Sequence, residues 1–582
     1  MPRTLFPFEL AEEKAPPRDP GEHDELYRSL PEALQSACQE YRHLWEYVCL
    51  LPTDMAASIA YYEKVQRSAA DQQPYNLLYR ASEKTFVHIL SGFEGGRPYY
   101  VPIEPGMTLD LSGLLVRVED RLVDEAYLII EAESDEERAK GLISLLDSIC
   151  VVRRDGSGVQ HPGGNGKGKR GKSKDSREKV NVTTGELEAL KYVVVRDKVG
   201  LGCLEPMSKD PNIEDISCSG IGPIFVEHKI FKSVQTAINF ESHEDVDDFV
   251  LRLSEQIRKP VTLRSPLVDA TLPDGSRINI VFGREVSRRG SNFTIRKFFD
   301  VPLSIMELIE FGSLNYEMAA YLSLVIEEGK NLFVVGETAS GKTTLMNAVT
   351  TFMPPNNKII SIEDTPELQV PHANWLREVA KIPASGDKGA HVTMFELLKA
   401  ALRQRPDVII VGEIRGEEGN IAFGAMQTGH QVMSTFHASN VEKLIQRLTG
   451  HPISVPKTYI DNLNVVVCQN AVKLPNGKRG RRATSVNEIV GYDPVANTFS
   501  YVEVFRWNPA TDVFEFVGKR NSYLLEDKIA ISRGILPNER WKIYDVVERR
   551  KRILEKLHKE KGVKDFYELL KVLAKAQGQG LF

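Results

Sequence analysis

The chain contains no C-x-x-C pair. Its six cysteines, Cys38, Cys49, Cys150, Cys203, Cys218 and Cys468, lie far apart. Such scatter supports neither a four-cysteine zinc site nor a disulfide framework, and fits buried thiols in a reducing compartment. No apolar run approaches the roughly 18 residues that a membrane-spanning helix needs. The opening stretch, "MPRTLFPFELAEEKAPPRDP", carries acids and prolines where a secretory signal would have an apolar core. A cytoplasmic location is therefore expected. Excess positive charge is missing too: 74 lysines and arginines face 80 aspartates and glutamates, a formal charge of −6. No direct nucleic-acid binding is expected from that balance, and any such contact needs a local basic patch. No internal repeat is present, which excludes a solenoid or propeller.

What is present is a chain of 582 residues, 42% apolar and 26% charged, a soluble globular balance and enough for about three or four domains. Residues 1–30 are rich in proline and acids and are expected to be poorly ordered. Residues 31–154 alternate helical and strand-like pieces, an α+β module without a chemical motif. The segment 155–179, "DGSGVQHPGGNGKGKRGKSKDSREK", has nothing apolar for a core. It reads as a flexible linker or loop, with a basic strip for anionic lipid or nucleic acid as the rival reading. A second module, 180–300, ends in "RINIVF" and "SNFTIRKF". Alternation there puts Ile278, Ile280 and Phe282 on one face with Arg277 opposite, and Phe293 and Ile295 on one face with Arg296 opposite. From 301 to 582 strand-like and helical segments alternate, the pattern of a parallel sheet with helices on its faces, followed by a charged helical tail.

Residues Gly336, Glu337, Thr338, Ala339, Ser340, Gly341, Lys342 and Thr343 match G-x-x-x-x-G-K-[ST] in full, with Thr344 following. The apolar "NLFVV" precedes them and a helical pattern follows, which is the strand–loop–helix context that gives the motif its chemistry. Glycines let backbone N–H groups converge on phosphate oxygens at a helix N-terminus. Lys342 would reach the β- and γ-phosphates and the Thr343 hydroxyl would hold Mg²⁺. The chain is expected to bind ATP with Mg²⁺.

Three later segments refine this. "KIISIEDTPEL" ends an apolar strand in Glu363 and Asp364, where a carboxylate can orient or deprotonate water. A helix cap is the alternative. "RPDVIIVGEIRG" places Glu413 at the end of a buried strand, the position of a metal-supporting acid, although a glycine intervenes. "GAMQTGHQVMSTFHAS" supplies His430 and His437, and His430 is the candidate for sensing the γ-phosphate.

Taken in order, "GETASGKTT", "IISIEDTPEL", "LLKAALRQRPDVIIVGEIRG" and "TGHQVMSTFHA" resemble the Walker A, Asp box, Walker B and His box of the secretion ATPase superfamily. "DPNIEDISCSG", "LPDGSRINIVF", "FTIRKF" and "EDTPELQVPHANW" resemble its archaeal branch. The resemblance is specific over about residues 190–475 and weaker before them. Gly416 stands where bacterial relatives commonly have Asp, and their four-cysteine module is absent. The resemblance implies an α/β fold: a RecA-like P-loop NTPase domain, a smaller α+β module on its N-terminal side and an extra N-terminal α+β region. It also implies a Mg²⁺-dependent ATPase that forms a hexamer and sits at the membrane's inner face through a polytopic platform protein. Such a motor would power a pilus, an archaellum or type II-like secretion. Arg277 and Arg296, with Arg264 and Arg284 as weaker candidates, match the arginines that this family presents to its own or a neighbouring nucleotide. Together with Glu363, Glu413 and His430 they form the implied catalytic set, and Thr343 and Glu413 the implied metal set. A DNA-uptake or conjugation ATPase and a non-hydrolysing assembly scaffold are the competing readings.

Overall fold

The computed structural model describes residues 3–9, 25–92, 96–125, 134–153, 179–298, 301–381 and 392–582. All but the last residue of the 155–179 strip, and 17 of the first thirty residues, therefore lie outside the described residues. The chain divides into two compact units, Met1–Phe298 and Phe299–Phe582.

The first unit is organised by one 11-stranded sheet. Its edge is the meander Leu267–Thr271, Arg277–Val281 and Asn292–Arg296, in which apolar residues alternate with polar ones. Ile278 and Ile280 are fully buried, and opposite them stand Ile295 and Phe293. The turn between the first two strands is the "LPDGS" segment. Gly275 takes φ +86° there, and Asp274 accepts from the Ser276 backbone N–H and hydroxyl, both at 2.9 Å. Both features are those of a tight Asp-Gly turn. The sheet continues through Ile213–Cys218, Gly222–His228 and Lys232–Phe240. It then crosses to the earlier part of the chain, where Gln235 and Thr236 pair in parallel with Tyr99 and Tyr100. Residues on either side of the 155–179 strip thus share one sheet. A buried polar knot sits at this crossing. The Tyr79 and Tyr100 hydroxyls donate to Asp210 Oδ2 at 2.5 and 3.0 Å, and Asp210 is fully buried. A satellite core packs the helices Ser112–Glu125, Asp135–Ile149 and Thr184–Lys198 together.

The second unit is a nine-stranded sheet. Six strands run parallel in the order Trp375–Val379, Ile359–Glu363, Val408–Glu413, Gln431–Phe436, Leu332–Val335, Val465–Lys473. Three antiparallel strands, Arg479–Asp493, Thr498–Asn508 and Val513–Glu515, extend it. Separate apolar cores cover its two faces. The central strands "LFVV" and "VIIV" are therefore buried on both sides and read as continuous apolar runs without alternation. The strand Leu332–Val335 has later strands on both sides, so the chain leaves it across a crevice at the C-terminal ends. That is where α/β sheets bind ligands. This is the mixed α/β, RecA-like arrangement. Among the described residues no helix is long and apolar enough to cross a membrane.

Candidate active site

Strand Leu332–Val335 runs straight into the glycine loop. The Gly336 N–H donates to Phe436 O at 3.2 Å, and a Cβ on Gly336 would fall 2.0 Å from Gln469 O. Only glycine fits that approach. Ala339 takes φ +60°, and Gly341, at φ +93°, opens helix Lys342–Thr350 without a side-chain cap. The N–H groups of the first turn thus face the loop at the helix's positive end, the arrangement that receives an anion. Lys342 is buried; its Nζ donates to Glu337 O at 2.9 Å and lies 3.5 Å from His437 Nδ1. Burial draws the lysine below its ordinary pKa, against the pull of Glu413 and Glu367. The Thr343 hydroxyl donates to Glu367 Oε2 at 3.2 Å.

The acid beside this loop is reached through a bulge. In strand Val408–Glu413 the pairing with Gln431–Phe436 shifts between Val411 and Glu413, so Gly412 is the extra residue and Glu413 stands opposite Thr435. A bulge of this kind re-aims the following side chain, which accounts for the glycine between the apolar run and the acid. Glu413 Oε1 lies 3.0 Å from His437 Nε2, and its Oε2 accepts from Arg415 Nη2 at 2.5 Å. Arg415 also donates to Asp364 Oδ2 at 3.1 Å. His437 thus stands between the two: its Nδ1 faces the Lys342 ammonium, and its Nε2 approaches Glu413 Oε1 without the alignment of a hydrogen bond. Burial lowers the histidine's pKa, with Lys342, Arg415 and Arg447 opposing Glu413 in the same sense. The ring is held neutral.

Glu363 is almost fully buried, at 1% exposure. Its Oε1 accepts the backbone N–H groups of Glu367 and Leu368, each at 2.7 Å, and its Oε2 faces Arg377 Nε at 3.3 Å. The carboxylate expected to polarise water is thus committed to holding the loop after its strand. The acid that this loop carries to Thr343 is Glu367. Desolvation raises Glu363 to about 7, although the two N–H groups and Arg377 oppose it.

Comparison with known proteins agrees with the motif order. Residues 197–576 match the family described as type II/IV secretion system protein. An uncharacterised protein of Methanocaldococcus jannaschii is 39% identical over 548 residues, covering 94% of this chain and 97% of that one. The chain belongs to the type II/IV secretion system protein family. The type IV secretion system protein VirB11 of Bartonella henselae is 30% identical over 286 residues, or 42% of this chain and 79% of VirB11. Among solved structures, the Legionella pneumophila ATPase DotB is similar at 19% identity and TM-score 0.38, covering 66% of this chain and 96% of DotB.

Of the secretion-family residues foreseen from sequence, the second unit brings together Lys342, Thr343, Glu413 and the loop held by Glu363. It does not bring His430 to them. His430 precedes strand Gln431–Phe436 and His437 follows it, whereas the glycine loop lies at the Phe436 end. A strand length of about 20 Å separates the two histidines. The one that meets the lysine is His437, and His430 instead pairs with the Thr428 hydroxyl at 3.0 Å. Arg277 and Arg296 lie on the first unit, directly opposite one another on adjacent strands. Like charges so placed repel. Arg296 also stands opposite Asp215, whose carboxyl it pulls down against burial. Glu367, Arg415 and Arg481 were not foreseen. Glu367 follows the "IED" signal by a few residues, and nothing local sets it apart from a helix-capping acid. The Thr343 hydroxyl and these carboxylates are hard oxygen donors suited to Mg²⁺. Among the described residues no cluster of three or more His, Cys, Asp or Glu could hold a metal ion without other ligands.

Proposed function

We propose that this chain is an ATP-hydrolysing motor subunit. It works as a ring, expected to be hexameric, on a pilus- or archaellum-like filament or a type II-like secretion apparatus. The observation that carries the reading is that His437 and Glu413, at the ends of neighbouring strands, meet Lys342 beside a preformed glycine loop. In this reading the loop and helix Lys342–Thr350 grip the ATP phosphates. Glu413 and Glu367 orient the attacking water and take its proton. The water oxygen bonds to the γ-phosphorus, the bond to the β–γ bridging oxygen breaks, and ADP leaves. Mg²⁺, held by Thr343 and supported by Glu413, would neutralise charge developing on the β- and γ-oxygens. His437, neutral and lying between Lys342 and Glu413, would pass phosphate occupancy to the acid. Arg277 and Arg296 would come from the first unit of the same or a neighbouring chain and contribute on the order of 10³–10⁵ in rate. Their arrival makes turnover depend on movement between units. The partner under load is a polytopic membrane platform protein, which would keep the motor peripheral on the cytoplasmic side.

Phosphate release from MgATP tests this. The wild-type chain should turn over, Lys342→Ala should not, and Arg296→Ala should bind MgADP normally yet hydrolyse at least a hundredfold more slowly. Unchanged turnover in Lys342→Ala removes the nucleotide assignment, and unchanged turnover in Arg296→Ala removes the arginine's role.

A further inference from the structure

Arg481 lies on strand Arg479–Asp493, outside every motif that marks the site, yet its side chain touches the glycine loop. Its Nε donates to Ala339 O at 3.1 Å. Its stem packs on Gly341, where a Cβ would lie 3.3 Å from Arg481 Cδ. The two residues it touches are the two with left-handed backbone in the loop, Ala339 at φ +60° and Gly341 at φ +93°. For Ala339, which has a Cβ, that conformation is strained and persists only where neighbours hold it. The Ala339 carbonyl is the group that Arg481 holds. No carboxylate pairs with Arg481 among the described residues, although the other arginines around the site, Arg377 and Arg415, both have one.

The arm also springs from a fixed base. The next residue, Arg482, is buried and clamps Asp512 through Nε at 2.7 Å and Nη2 at 2.8 Å. Its Nη1 donates to Phe311 O at 3.1 Å and to Arg481 O at 3.0 Å. The Ala483 N–H donates to Ser313 O at 2.8 Å. The backbone of Arg481 therefore cannot drift, and its exposed side chain crosses from this anchored strand to the crest of the loop.

We propose that Arg481 is a positioning residue for the nucleotide. From the outside it holds the Ala339–Gly341 crest in the form whose N–H groups converge on phosphate, and it adds an unneutralised positive charge beside the polyphosphate. This rests on the nucleotide-binding reading above. The clamp acts on bound ATP and ADP alike, so its loss weakens binding without slowing the chemical step at saturation.

The test is titration of the full chain with MgADP, together with KM and kcat for MgATP and an apo melting curve. Arg481→Ala should raise the MgADP Kd and the MgATP KM about tenfold, the worth of one charge-assisted hydrogen bond. Its kcat and apo Tm should stay at wild-type values. Arg481→Lys, which keeps the charge but not the planar Nε–H, should recover part of the affinity, and Arg481→Gln should not. Wild-type affinity in Arg481→Ala overturns the proposal. So does a loss of affinity that comes with an equal fall in Tm and no rescue by lysine. A wild-type chain that fails to bind MgADP instead overturns the nucleotide reading on which the proposal stands.

Discussion

Replacing Glu363 by glutamine should change how the protein's stability responds to pH. The folded chain holds this carboxyl at about 7, against an ordinary 4.5, because burial outweighs two backbone N–H bonds and Arg377. A carboxyl whose folded pKa is raised binds its proton more tightly when folded than when unfolded. Its favourable contribution is therefore complete below 4.5 and is lost as pH rises towards about 7. The separation of about two and a half pH units corresponds to about 3 kcal/mol. The group is buried, so solvent screening removes little of this. Glutamine keeps one carbonyl oxygen for the Glu367 and Leu368 N–H groups and does not titrate. Urea melts of wild type and Glu363→Gln, at intervals from pH 4.5 to 8, measure the difference directly. That difference should move by about 3 kcal/mol in favour of the glutamine variant as pH rises. A difference that stays flat across this range refutes the assignment of a buried, proton-binding Glu363. Glu363→Ala, by contrast, leaves two N–H groups without an acceptor, at about 1–3 kcal/mol each, and should release Glu367 from Thr343.

Two further substitutions probe the loop and its neighbour. Gly336→Ala forces a methyl to within 2.0 Å of Gln469 O, so the loop must shift. MgADP titration should show binding lost while the melting curve falls only by the about 1–3 kcal/mol typical of overpacking. His437→Gln removes the ring that links Lys342 to Glu413, and kcat should fall at least tenfold with MgADP affinity retained. Because the folded protein holds His437 below the ordinary histidine pKa, the neutral ring persists as pH falls through 6.5. The pH–rate profile of Glu363→Gln, which lacks the carboxyl that titrates at about 7, should show no histidine ionisation between pH 6.5 and 8. A profile with its midpoint in that window contradicts the neutral assignment.

Much of the site could be read before the fold was known, because its parts are local. The glycine loop needs only contiguous residues with the right backbone freedom, and "NLFVV" announces the buried strand before it. The alternation in "RINIVF" and "FTIRKF" foretells the buried faces of Ile278, Ile280, Phe293 and Ile295, since a period of two needs no tertiary information. The glycine ahead of Glu413 looks like a departure from pattern until the bulge against Gln431–Phe436 explains it. The parallel pairing of Gln235 and Thr236 with Tyr99 and Tyr100 leaves no trace in either segment, because register between distant strands has no local period.

The amino-acid order by itself determined that a glycine-rich G-x-x-x-x-G-K-[ST] loop follows a buried strand, which lysine and threonine it offers, and which family the chain belongs to. Those properties reside in short contiguous runs. Only the tertiary structure decided which neighbours the loop meets. His437 reaches Lys342 and His430 does not, because one strand's length stands between them. Glu363 turns inward to hold the segment that brings Glu367 to Thr343. Arg481 arrives from a strand more than a hundred residues downstream in sequence. Contacts across a parallel sheet depend on strand order and register, and neither is written in the spacing of residues along one strand.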